Sequence, residues 1–235
     1  MNERAAQFNM QSIYLTDEHV ALREQVARFV VQSGVGTSLV SMRNTLAPLA
    51  LGIVAPAAQV GYFRAAQAPI TGLEALSAPV RLILLTEQTR DFEQGLVSRT
   101  YATLRRYMTG ATILALVIAP VFWVAMPWLI EVVLPDYEDA TEAARILLLA
   151  ACLRLVLGWT KTFPVSIGRP GLRIVAHGVE IAVLLPLLLV LGSSRGASGA
   201  ALAMLLATVA FGFTWAVLLT RLRRAAVAVS EEARP

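Results

Sequence analysis

Residues 107–130 read YMTGATILALVIAPVFWVAMPWLI, and residues 196–220 read GASGAALAMLLATVAFGFTWAVLLT. Neither stretch holds a charged side chain. Each is bounded by charge, Arg106 and Glu131 around the first, Arg195 and Arg221 around the second. A helix needs about 20 mostly apolar residues to cross a hydrocarbon core of roughly 30 Å. Both stretches meet that length, so the rest of the chain is read as the companion of two membrane helices.

The composition agrees. Of 235 residues, 57% are hydrophobic and 15% charged, against roughly 45–50% and about 25% in an average soluble domain. A soluble chain of this length could not hide the surplus in its core. A single cysteine, Cys152, excludes a disulfide scaffold and a cysteine-based zinc site. Two histidines, His19 and His177, leave little for a metal centre. No nucleotide-binding loop, nucleophile–base pair or metal motif occurs, so neither cofactor nor metal is expected and the chain is not read as an enzyme. The net charge of +4 could point to nucleic acid, but the basic residues form no aromatic-interleaved patch.

Working outward, four further spans emerge once one or more internal charges are allowed. The expected fold class is all-α, a polytopic six-helix membrane bundle with spans at about 28–54, 60–86, 107–133, 140–162, 173–193 and 196–220. Residues 1–27 are expected to be a cytoplasmic amphipathic linker, with 17–29 running along the membrane surface into the first span. They lack the apolar core of a secretory signal. Residues 28–221 would be the helical lobe and 222–235 a cytoplasmic tail. Turn signals separate the spans: Ala55-Pro56, Leu134-Pro135-Asp136-Tyr137, Gly168-Arg169-Pro170-Gly171 and Gly192-Ser193-Ser194-Arg195-Gly196. Asp139 or Thr141 is expected to cap the fourth span. Six prolines (Pro48, Pro69, Pro79, Pro120, Pro127, Pro186) lie within spans, which requires neighbours to satisfy the freed carbonyls.

Lys and Arg mark cytoplasmic loops. On the six-span reading, 14 of the 20 basic residues fall on one side and only Arg195 on the other, the remaining five lying inside spans. That places both termini in the cytoplasm and explains the basic charge as a topology signal. Nucleic acid is therefore not an expected partner.

The charges inside spans are the candidate site. A charged side chain near the bilayer centre costs roughly 2.5–3.5 kcal/mol on insertion scales and usually faces an interior or an aqueous cavity. Arg64, Arg145 and Lys161 are near span ends and can snorkel to the interface. Arg43, Glu74 and Arg154 are central, and Arg81 shares a helical face with Glu74. On one reading Glu74 neutralises Arg43 or Arg154 in a structural pair. On the other, Arg43, Arg154 and Arg81, with Glu74, line a cavity for an anionic head group, since guanidinium donates in parallel to phosphate. His177 and Glu180, one turn apart, could relay a proton or simply share a hydrogen bond. Trp128 and Trp159, near span ends, fit an aromatic belt. Gly196–Ala201 looks like a close helix-packing face.

Four local patterns add a resemblance. Val60-Gly61-Tyr62-Phe63-Arg64-Ala65-Ala66 is similar to the opening of a family's second helix. Leu134-Pro135-Asp136-Tyr137-Glu138-Asp139-Ala140, followed by Ala144-Arg145-Ile146-Leu147, resembles the segment entering its fourth, with Pro135 where glycine is usual. Ile167-Gly168-Arg169-Pro170 resembles the turn to helix five, and Gly196-Ala197-Ser198-Gly199-Ala200-Ala201-Leu202-Ala203 the start of helix six. In this order and spacing, over about residues 20–224, the patterns resemble the carboxyl-terminal lobe of the polysaccharide/O-antigen exporter branch of the multidrug/oligosaccharidyl-lipid/polysaccharide flippase superfamily. The resemblance implies a flippase for a lipid-linked oligosaccharide or polysaccharide precursor in the bacterial inner membrane, working by alternating access. Partners would be the lipid-linked glycan and the bilayer.

That family has 12 to 14 spans, so the missing amino-terminal lobe would come from a longer gene, a partner in trans or a homodimer; a fragment is the favoured expectation. Other functions weighed are a cation-coupled multidrug antiporter lobe, a lipid II flippase and a non-transporting scaffold subunit of glycan assembly. The central arginines favour an anionic substrate over a cationic drug.

Overall fold

The computed structural model describes residues 17–76, 78–94 and 96–232, and no β-strand occurs among them. The helices run α1 Asp17–Val54, α2 Ala57–Leu76, α3 Ala78–Glu93, α4 Val97–Val133, α5 Thr141–Val156, the short α6 Phe163–Ser166 and α7 Gly171–Glu232. One 3-10 segment, Pro135–Ala140, precedes α5 and another, Leu157–Lys161, follows it. α1 packs mainly along α7, α4 along α5, and α5 against both α2 and α7.

Three stretches are long and apolar enough to cross a membrane: Arg99–Val133, Pro135–Ser166 and Gly171–Leu222. In the first, only 11% of the most apolar window is buried. Leu116, Val117, Val121 and Val124 all face outward. Water-soluble domains bury their most apolar segments and rarely expose apolar patches of this extent. The arrangement suits a hydrocarbon solvent, and the chain reads as a membrane protein.

The third stretch is not one rod. At Gly196 φ is +58° and ψ −129°, a conformation closed to side-chain-bearing residues. A Cβ at Gly199 would stand 1.9 Å from the Leu191 carbonyl oxygen, although residues eight apart in a straight helix are about 12 Å apart. The chain therefore reverses at Gly196, and the arms 171–195 and 197–232 lie against each other. Gln59 of α2 holds the reversal, its Oε1 accepting the free N–H of Ala197 at 2.8 Å. The small residues read as a packing face do serve as one: Ala200, Ala201 and Ala203 are fully buried.

Several expectations change. Residues 17–54 are one continuous helix of 38 residues, about 57 Å long, with no break at 27 or 28. Residues 1–16 and 233–235 lie outside the described residues. The stretch 60–86 is helical on both sides of position 77, over Ala57–Leu76 and Ala78–Glu93, and position 77 itself lies outside the described residues. In the fourth, α-helix stops at Val156, ahead of Gly158 and Pro164. Neither Asp139 nor Thr141 caps α5. The Thr141 hydroxyl instead donates to the Glu138 carbonyl at 2.7 Å.

Prolines inside α4 are accommodated as a membrane helix requires. Pro127 has no N–H, which orphans the carbonyl four residues earlier at Trp123. Arg145 Nε of α5 donates to that carbonyl at 3.0 Å. Its guanidinium carbon lies 5.6 Å from the Trp123 ring centre. Arg145 is thus not a snorkelling side chain but a tie between two helices.

The interior has two apolar regions. One joins Leu51 of α1, Phe63 of α2, Met126 and Ile130 of α4, and Leu184 and Leu188 of α7. The other is aromatic, centred on Trp159, Phe163, Phe211 and Trp215, with the two indoles edge to face at 5.2 Å. Trp159, expected in an interfacial belt, is 1% exposed. The 3-10 segment after α5 turns it inward where a continued α-helix would have set a different face. Trp128, 64% exposed, remains placed as a belt residue would be.

Candidate functional site

Between these apolar regions lies a buried polar cluster, contributed by three helices. Glu180, on the first arm of α7, is fully enclosed. Arg43 of α1 donates through Nη1 to Glu180 Oε1 at 3.2 Å, and Arg154 of α5 donates through Nη2 to the same oxygen. His177 Nδ1, one turn earlier on α7, lies 2.9 Å from Oε2. An ionised carboxylate only accepts, so with Glu180 charged Nδ1 is the protonated ring nitrogen.

Each member is held from behind. Arg154 Nη2 also donates to Thr208 Oγ1 at 3.0 Å, and the Thr208 hydroxyl donates to the Met204 carbonyl at 2.8 Å. Arg43 Nε donates to Asn44 Oδ1 at 3.0 Å. The His177 ring stacks on Phe211, centres 4.8 Å apart and planes at 23°. That contact ties the cluster to the aromatic region. Arg173, one further turn back on α7, is also buried. Its Nε has no hydrogen-bond partner, and Gly36 of α1 lets it lie close.

The electrostatics follow from the count. Two guanidinium groups meet one carboxylate, so with a neutral imidazole the three ions carry one net positive charge. Burying ions costs several kcal/mol each unless they are paired and hydrogen-bonded, and here both conditions hold for Glu180. Removing one partner of such a pair typically costs about 3–5 kcal/mol, because the other charge stays buried.

Of the residues expected from the sequence, Arg43, Arg154, His177 and Glu180 come together. The side chains of Glu74 and Arg81 lie outside the described residues. Both arginines meet the carboxylate of Glu180, and the expected pairing with Glu74 falls outside the described side chains. Glu180 was read as a partner of His177 alone; the packing of α1 and α5 on α7 puts it at the depth of both arginines. Thr208, Asn44, Phe211 and Arg173 were not anticipated as neighbours. Thr208 carries a faint signal, a hydroxyl at the middle of an uncharged apolar stretch. Among the described residues no three of His, Cys, Asp and Glu gather as metal ligands.

No family model matches the chain, and neither does any curated protein or solved structure.

Proposed function

We propose that the chain is a six-span lobe of a membrane flippase, carrying a lipid-linked oligosaccharide or polysaccharide precursor across the bacterial inner membrane by alternating access. The observation behind this reading is the pairing of two arginines, one buried and one half-buried, with one buried carboxylate. Ionised side chains this deep in an apolar chain are costly to keep, and those that persist mark substrate or ion paths. Guanidinium pairs recognise phosphate by the same forked geometry that they use on carboxylates.

Glu180 is then the resident anion of the closed, substrate-free state. The head-group phosphate takes its place on Arg43 and Arg154 when the lobe opens, and His177 exchanges a proton with Glu180 as the arginines let go. A second lobe, in trans or from another copy, completes the cavity. The four sequence patterns and the 14-to-one distribution of basic residues support the same reading, with both termini cytoplasmic.

The test has two arms. Arg43→Gln and Arg154→Gln are expected to abolish glycan export in cells while the protein accumulates in the membrane. Undiminished export at normal protein levels refutes the transport role, and export loss without any effect on assembly of the glycan enzymes separates transport from scaffolding. For topology, the lone native Cys152 is buried and gives a quiet background. New cysteines at Asp136 and Arg195 are expected to react with an impermeant reagent from outside, and those at Arg105 and Arg221 only after the cells are opened. Labelling of all four from one side refutes the six-span arrangement.

A further inference from the structure

A groove of about 580 Å³ runs between the start of α4 and the end of α7. We propose that it binds an anionic phospholipid. Tyr101, Arg105, Thr109 and Thr112 recur at helical spacing along the α4 wall, and Leu219 and Thr220 form part of the other. From Tyr101 to Ile113 the wall is about 18 Å long at 1.5 Å per residue. The two helices run in opposite directions here, so their charged ends share one rim.

Polarity changes along the groove in the sense a phospholipid requires. At the rim stands Arg105, exposed, with exposed Arg221 and Arg224 just beyond Thr220; among the described residues no acidic side chain lines the groove. Deeper in, Met108, Ile113 and Ala216 are apolar. The hydroxyls along the walls do not spoil that depth for an acyl chain. Thr112 donates to the Met108 carbonyl at 2.7 Å, and Thr220 to the Val217 carbonyl at 2.8 Å. The floor is the aromatic region, with Leu104 and Trp215 buried beneath. A basic rim above an apolar slot between membrane helices fits an acidic head group with its chain, and basic pockets on the cytoplasmic side bind such lipids. The cytoplasmic placement of this rim rests on the topology proposed above. The binding itself needs only that the chain sits in a membrane.

The experiment uses the purified full chain, delipidated in mild detergent and offered phosphatidylglycerol or phosphatidylcholine of matched chains, with bound lipid counted by native mass spectrometry. Phosphatidylglycerol is expected to be retained over phosphatidylcholine, with preference falling roughly five-fold for each of Arg105→Gln and Arg221→Gln. Ala216→Phe, which fills the slot without touching charge, is expected to reduce retention of both lipids. Arg28→Gln, at a different surface groove, is expected to change nothing. Equal retention of the two lipids, preference lost through Arg28 rather than Arg105, or full retention in Ala216→Phe each overturns the proposal. Since no transport is measured, failure here leaves the flippase reading standing, and a transport-dead chain can still pass.

Discussion

Replacing Glu180 by Gln keeps the shape of the side chain and removes the charge that both arginines share. In the native protein Oε1 takes Arg43 Nη1 at 3.2 Å and an Arg154 Nη2 hydrogen bond, while Oε2 faces His177 Nδ1 at 2.9 Å. The amide can still accept at one oxygen, and its NH2 can donate to His177 Nδ1 once the imidazole changes tautomer. Two guanidinium groups, 5% and 15% exposed, then lose the carboxylate they share. By the usual cost of breaking a buried pair, Glu180→Gln should lose about 3–5 kcal/mol. Arg43→Gln should lose less, because Arg154 and Glu180 then balance one for one; the loss is that of a hydrogen bond to a charged group, about 1.5–3 kcal/mol. The double variant Arg43→Gln/Glu180→Gln should recover much of the deficit, since it leaves one guanidinium where the carboxylate's loss alone left two.

Equilibrium unfolding in mixed micelles, followed by the buried Trp159 and Trp215 beside Phe211, measures all three. The expected order of stability is wild type, Arg43→Gln, then Glu180→Gln, with the double variant above Glu180→Gln. If Glu180→Gln is as stable as wild type, or if the two single losses simply add, Glu180 is not the hub of the cluster.

Two further outcomes follow from local geometry. Gly196→Ala must force a side chain into a positive-φ position and within 2.2 Å of Gln59 Oε1, so it should cost about 1–3 kcal/mol; Gly178→Ala, with open space around it, should be neutral or stabilising in the same unfolding assay. Arg145→Met should cost about 1 kcal/mol in the native background, where it orphans the Trp123 carbonyl, and distinctly less in Pro127→Ala, whose restored N–H takes that carbonyl. Equal losses in both backgrounds would remove Arg145 from the role of proline's substitute donor.

Much of the helical layout could be read from the chain. The uncharged stretches at 107–130 and 196–220 fall in helices, and the turns at Gly168 and Gly196 stand where glycine was read as a break. Both glycines have positive φ. These features are local, resting on apolar length and on a backbone region open mainly to one residue type. What the sequence misplaced depended on how helices end and meet. Trp159 looked interfacial because its distance along the chain is that of a span end, but the switch from α-helix to 3-10 helix at Leu157 turns it into the aromatic region.

The sequence by itself determined that this is a membrane-type helical chain, where most helices start and stop, and which charges are too deep to be incidental. Hydrophobic surplus, charge bounds and glycine positions are properties of short segments and survive without knowledge of neighbours. Only the tertiary structure decided which anion answers those charges. Arg43 and Glu180 are 137 residues apart, and Arg154 and Glu180 are 26 apart. Their meeting depends on the rotation of α1 and α5 about their axes as they pack on α7. No spacing along the chain announces that pairing; the packing of three helices on a common seam brings the carboxylate at 180 to both arginines.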